Sequence, residues 1–119
     1  MIALALQSAA AFNLMCMGTV AWREGGDRSH AYSRAFAIDL GRVRWCLAPC
    51  RDSAPIAEVT AETIVLMREN EGDQLRLITI DRQSGALLEI NRTFGRISVA
   101  QADCERGRFT GFGRRRSSQ

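Results

Sequence analysis

The sequence predicts an all-β domain: a single small antiparallel barrel or meander of seven to eight short strands. Three observations lead there. Apolar and polar residues alternate with period two through most of the chain, turn-forming clusters recur between the alternating runs, and no segment holds a helical period for three turns. A chain of 119 residues that is 46% hydrophobic and 24% charged suits one modest core. That composition excludes a disordered or collagen-like chain.

Taken in order, residues 12–22 form the first strand. Phe12, Leu14, Cys16, Gly18, Val20 and Trp22 share one phase, and Asn13, Met15, Met17, Thr19 and Ala21 the other. Glu24-Gly25-Gly26-Asp27 is a turn by composition, because glycine supplies the positive φ of tight reversals. Tyr32, Arg34, Phe36, Ile38 and Leu40 alternate in a second strand, and Gly41-Arg42 reverses the chain into residues 43–46 around Trp45. Within residues 47–62, Pro49 and Pro55 interrupt any ladder, and residues 57–62 admit one helical turn or a short bridging strand. Residues 63–68 are β-prone and end in a polar turn at 69–73. The strongest hairpin signal joins residues 75–81 to 86–92 through Arg82-Gln83-Ser84-Gly85. Residues 96–100 add a short strand. Cys104 then opens a final segment, whose Phe109 and Phe112 are expected to pack back on the sheet.

The net charge of +3 is a property of the tail. Without Arg114, Arg115 and Arg116, thirteen Arg face thirteen acids. A tail of that kind, residues 113–119, suits contact with phosphates or an anionic surface, or simple solvation as a chain end. Residues 1–11 resemble the end of a secretion signal: Ile2 to Leu6 are apolar, and Ala9-Ala10-Ala11 has the small-residue character of a cleavage site. The domain is then residues 12–112, placed in the periplasm or outside the cell. No apolar run reaches the ~18–20 residues of a membrane-spanning helix.

Four cysteines in a short chain with such a start imply a disulfide framework of three possible connectivities. The economical pairing is Cys46 with Cys50, a tight loop, and Cys16 with Cys104, tying the two ends together. On the loop-entropy account the second bridge stabilises by on the order of 4–5 kcal/mol. Zinc is not expected, because Cys-x3-Cys, two scattered cysteines and His30 lack the paired short spacings of a structural site.

Groups able to carry catalysis are few. His30 is the only imidazole and sits beside a Gly-rich turn, as a surface histidine would. No carboxylate pair is singled out for acid–base work. Gly107-Arg108-Phe109-Thr110-Gly111 lacks the lysine and the strand-to-helix setting of a phosphate loop. Three residues separate Cys46 from Cys50, where catalytic dithiols have two at a helix start, so a staple is expected there. Phe12, Trp22, Tyr32, Phe36 and Trp45 fall on the apolar phase of strands, where they serve a core rather than a nucleic-acid stacking platform.

Phe12-Asn13-Leu14-x-Cys16-x-Gly18-Thr19, Ile38-Asp39-Leu40, Arg44-Trp45-Cys46 and Ile80-Asp81-Arg82-x-Ser84-Gly85, with Cys104 and Phe109-x-Gly111-Phe112, resemble blocks of small exported bacterial proteins of uncharacterised role. That resemblance spans residues 12–112 and implies export and a disulfide-linked β fold. The chain is more distantly similar to the lysozyme-inhibitor barrels of the bacterial envelope. Their inhibitory loop carries Ser-Gly-x-x-Tyr; Ser84-Gly85 matches its first half, and Leu88 stands at the tyrosine position.

These readings make Arg82, Ser84 and Gly85 a candidate interaction loop, and Arg114, Arg115 and Arg116 a candidate anionic contact. The expected role is a monomeric, non-enzymatic exported β-domain that binds a protein or envelope component and needs no cofactor. The alternatives are a carrier of a small apolar ligand lined by Trp22, Phe36 and Trp45, and a thiol–disulfide oxidoreductase using Cys46 and Cys50.

Overall fold

A computed structural model describes residues 10–23, 29–50 and 52–112. The expected signal remnant, apart from Ala10 and Ala11, lies outside the described residues. So do the Gly25-Gly26 turn and the tail with Arg114, Arg115 and Arg116. The described chain is all-β and antiparallel, one nine-stranded sheet curled into a half-barrel.

The strands are β1 Ala11–Trp22, β2 Ser29–Asp39, β3 Arg44–Leu47, β4 Ala54–Pro55, β5 Glu58–Val59, β6 Thr63–Glu71, β7 Gln74–Asp81, β8 Ala86–Thr93 and β9 Arg96–Gly107. The two-residue strands β4 and β5 take the count above seven or eight. Residues 57–62 thus supply a short bridging strand rather than a helical turn. Cys104 does not open a new segment: it lies inside β9, which runs seven residues beyond the expected end at Ala100. The inward residues of that extension, Ala102 and Cys104, are small and so left a weak apolar signal.

In the sheet order β4-β3-β2-β1-β9-β8-β7-β6-β5, every neighbour but one pair follows a local reversal. The exception is β1 with β9, which pair from Asn13↔Gly107 to Trp22↔Ser98 and bring the chain's two ends together. Cys16 and Cys104 are direct cross-strand partners in that ladder and are joined by a disulfide, with Cα atoms 3.9 Å apart. Gly18 is required nearby, since a Cβ there would lie 1.9 Å from the Gln101 carbonyl oxygen.

Period-two alternation turns one phase of each strand inward. Phe12, Leu14, Cys16, Phe36, Ile38, Trp45, Ile64, Leu66, Ile78, Ile80 and Leu87 form a continuous core. Phe36 packs against Trp45 with centroids 6.0 Å apart. Ile56, between β4 and β5, is also buried in it. Because β4 pairs with β3 and β5 pairs with β6, residues 54–59 carry the chain from one sheet edge to the other. This short crossing closes the half-barrel at the end where β1 begins.

The other end stays open. β3 pairs only with Phe36 to Asp39 of β2, and the last bond along that edge runs from the Ala48 amide to the Ala35 carbonyl, 2.7 Å. Beyond Ala48 no further bond to β2 forms among the described residues, and Cys50 is tied back to Cys46 by a disulfide. On the far side, β5 covers only Ile64 and Val65 of β6, and a bulge between Val65 and Met67 follows. The first residues of β2 and the last of β6 therefore lack a strand partner on their outer sides among the described residues.

Candidate binding sites at the two ends of the half-barrel

The open end holds a cleft of about 470 Å³ lined by residues of five strands, among them Trp22, Arg34, Arg76, Glu89 and Asn91. Inward parity places them together. Trp22 and Ser98 are partners, Ser98 pairs with Asn91, and Asn91 pairs with Arg76, so one row crosses four strands. Tyr32 and Arg34 enter from β2.

Glu89 organises the cleft. It is 4% exposed, so its carboxylate must find partners inside the fold. The Tyr32 hydroxyl donates to its Oε1 at 2.5 Å and Asn91 Nδ2 donates to its Oε2 at 3.1 Å. Arg76 Nε donates to Asn91 Oδ1 at 3.0 Å, while its Nη2 lies 3.9 Å from Glu89 Oε2. Burial, then the hydrogen bond to Glu89 and its negative charge, raise the Tyr32 pKa well above the ordinary tyrosine value, so the phenol stays a donor. The Arg34 guanidinium stacks over the Tyr32 ring at 5.2 Å. Among the described residues no carboxylate lies in salt-bridge range of Arg34. Trp22, 38% exposed at the rim, carries Arg96 over its ring at 5.4 Å.

Both Glu89 oxygens are occupied by neighbouring donors, and Tyr32 is held protonated. The cleft offers N–H donors from Arg34 and Arg76 and the aromatic face of Trp22. That inventory suits recognition of an acceptor-rich group.

At the closed end, a smaller pocket of about 250 Å³ is lined by apolar Phe12, Leu14, Ile64 and Ile80, by Cys104, and by the turn from Asp81 to Gly85. Here the structure brings together Arg82, Ser84 and Gly85. The turn is pinned from three sides. Asp81 Oδ1 accepts from the Ser84 and Gln83 amides, at 2.9 and 2.8 Å, and these bonds hold its carboxyl below the ordinary range. Arg82 Nη1 donates to the Thr60 carbonyl at 2.6 Å. Gly85 adopts φ +80°, and its carbonyl accepts from the Cys104 amide at 2.9 Å. A Cβ on Gly85 would meet the Cys104 carbonyl oxygen at 2.8 Å, so glycine is required by both conformation and space.

The remaining sequence candidates are dispersed. Trp22 stands at the open rim while Phe36 and Trp45 are packed in the core, so the three do not line one cavity. Cys46 is buried on β3 and bonded to Cys50. His30 is exposed near the start of β2. Phe109 and Phe112 stack edge to face on each other, 5.4 Å apart, and their segment is tied to β1 by Asn13, whose Nδ2 donates to Thr110 Oγ1. Among the described residues no group of three or more His, Cys, Asp and Glu could hold a metal ion, and no helix is long and apolar enough to cross a membrane.

The cleft around Glu89 was missed by sequence reasoning. Its signal was polar side chains on inward phases: Arg34 between Tyr32 and Phe36, and Glu89 and Asn91 after Leu87. Comparison with models of protein families, with characterised proteins and with solved structures returns no match to this chain.

Proposed function

We propose that this chain is a non-enzymatic binding domain of an oxidising compartment, the periplasm or cell exterior, where it recognises a protein or envelope component. The observation that carries the reading is the open end of the half-barrel: a cleft lined by Arg34 and Arg76 whose one buried carboxylate, Glu89, is hydrogen-bonded by its neighbours. A catalytic site needs a group poised to gain or lose a proton. Here the titratable groups hold one another in place, an arrangement suited to a preorganised binding surface. Two disulfides in so small a domain fit the proposed compartment.

The test is capture from an envelope extract by the immobilised full-length chain, followed by purification of the captured species and titration against it. Arg34→Gln and Trp22→Ala are expected to weaken that binding at least tenfold with the melting temperature unchanged. Ser84→Arg, at the closed end, is expected to leave it within twofold. Unchanged binding by both cleft variants would contradict the assignment of the site. Turnover of a substrate, abolished by Glu89→Gln, would contradict the non-enzymatic reading.

A further inference from the structure

We infer that the partner of the open end is an acidic, extended segment of another protein, which adds as a strand to the free edge of β2 and directs a carboxylate to Arg34. The inference rests on the binding reading above and names the partner's chemistry.

The edge comes first. In an antiparallel ladder, both backbone groups of alternate residues turn to the same neighbour. The Ala35 carbonyl bonds to Ala48 on the β3 side, so the N–H and C=O of Ala31 and Ser33 also point that way. No described strand meets them there. Natural sheets guard such edges with charge or bulges. The outer edge of β6 is guarded in this way, by the bulge and by exposed Arg68, Glu69 and Glu71. The β2 edge has no bulge and no acid: the residues whose backbone groups face outward along it, Ser29, Ala31 and Ser33, are small and neutral, and the exposed charge on this stretch is the inward Arg34. An exposed edge of this kind is the template for strand addition.

The side chains choose the occupant. A strand continuing the line of β3 would set its inward residues beside Tyr32 and Arg34, over the 470 Å³ cleft. Arg34 stacks on Tyr32 without a carboxylate partner among the described residues, and Arg76 stands beyond it. Glu69 lies opposite Arg76 on β6, which confines the preference for an acid to the β2 side. Cross-strand pairing with Arg34 therefore favours Asp or Glu. Residues 1–9 and 113–119 carry no acidic side chain, so charge does not select either as the occupant. A second copy pairing through the same edge brings no acid either, since Ser29 to Arg34 includes none. Charge complementarity thus points to a different protein.

The experiment screens a positional-scanning library of acetylated, amidated hexapeptides against the full chain. Asp or Glu is expected to dominate at one position. The best hexapeptide is then N-methylated at each residue in turn. Methylation at alternate residues is expected to weaken binding at least tenfold and at the residues between them less than twofold. Arg34→Gln is expected to remove the acid preference and weaken binding at least tenfold. Four results would overturn the inference: no hexapeptide binding below 1 mM, no acidic position, N-methylation without an alternating effect, or dimerisation of the chain through β2. The third would mean that the cleft takes an anion without strand pairing, and the binding reading would survive it. Loss of binding in Ser84→Arg with none in Arg34→Gln would overturn both.

Discussion

Tyr32 is the chain's only tyrosine, so its ionisation reports the cleft without interference. Its folded pKa is raised, whereas the unfolded phenol titrates near ~10. The resulting stability is complete below about pH 10 and is lost as pH rises through the folded value. Absorbance of tyrosinate followed to high pH is expected to show a midpoint above the ordinary range, and Glu89→Gln to move it back downward. An ordinary midpoint in the wild type would dissolve the Tyr32–Glu89 contact. At the tip of the β8–β9 hairpin, Phe94 adopts φ 51° and is 75% exposed, followed by Gly95 at φ 82°. Two positive φ values in a two-residue loop favour Asn-Gly, and a bulky side chain there is strained. Phe94→Asn is therefore expected to stabilise by about 1 kcal/mol, read as a higher melting temperature. A lower melting temperature would show that the Phe94 ring contributes packing that outweighs its backbone cost.

The β7–β8 hairpin shows how one side chain organises an element. Asp81 closes an Asx turn by accepting from two amides, and Arg82 ties the turn to residues 60–62. Because the folded pKa of Asp81 is lowered, its contribution is present above the unfolded carboxylate value and lost as pH falls through the folded one. Protection factors of the Gln83 and Ser84 amides, taken against the intrinsic exchange rate at each pH, are expected to fall on acidification below about pH 4, and Asp81→Ala to show the low protection already at neutral pH. Equal protection in wild type and variant would refute the turn's dependence on this carboxylate. This hairpin was legible from residues 75–92, since alternating strands around a turn containing Ser-Gly are a local signal. The length of β9 was not, because Ala100, Ala102 and Cys104 are too small to mark an inward phase strongly.

At the scale of the molecule, the antiparallel β architecture was legible because period-two alternation is set residue by residue. Cys16 and Cys104 also hinted that the ends meet. The open slot was not legible. It depends on where β3 leaves β2 and where β5 stops along β6, and short strands such as Ala54–Pro55 carry no periodicity. The inward polar row was visible only as exceptions in apolar phases. The long-range bridge carries the closure: replacing Cys16 and Cys104 together by Ala is expected to cost on the order of 4–5 kcal/mol in denaturant unfolding. A loss under 1 kcal/mol would show that the β1–β9 ladder closes unaided.

Hydrogen exchange along β2 addresses the free edge most directly. The Tyr32 and Arg34 amides, which turn toward β1, are expected to exchange slowly, and those of Ala31 and Ser33 to exchange fast. That alternation marks an unfilled position in the half-barrel. Equal, strong protection of all four would mean that the position is already occupied, leaving no place for a partner strand.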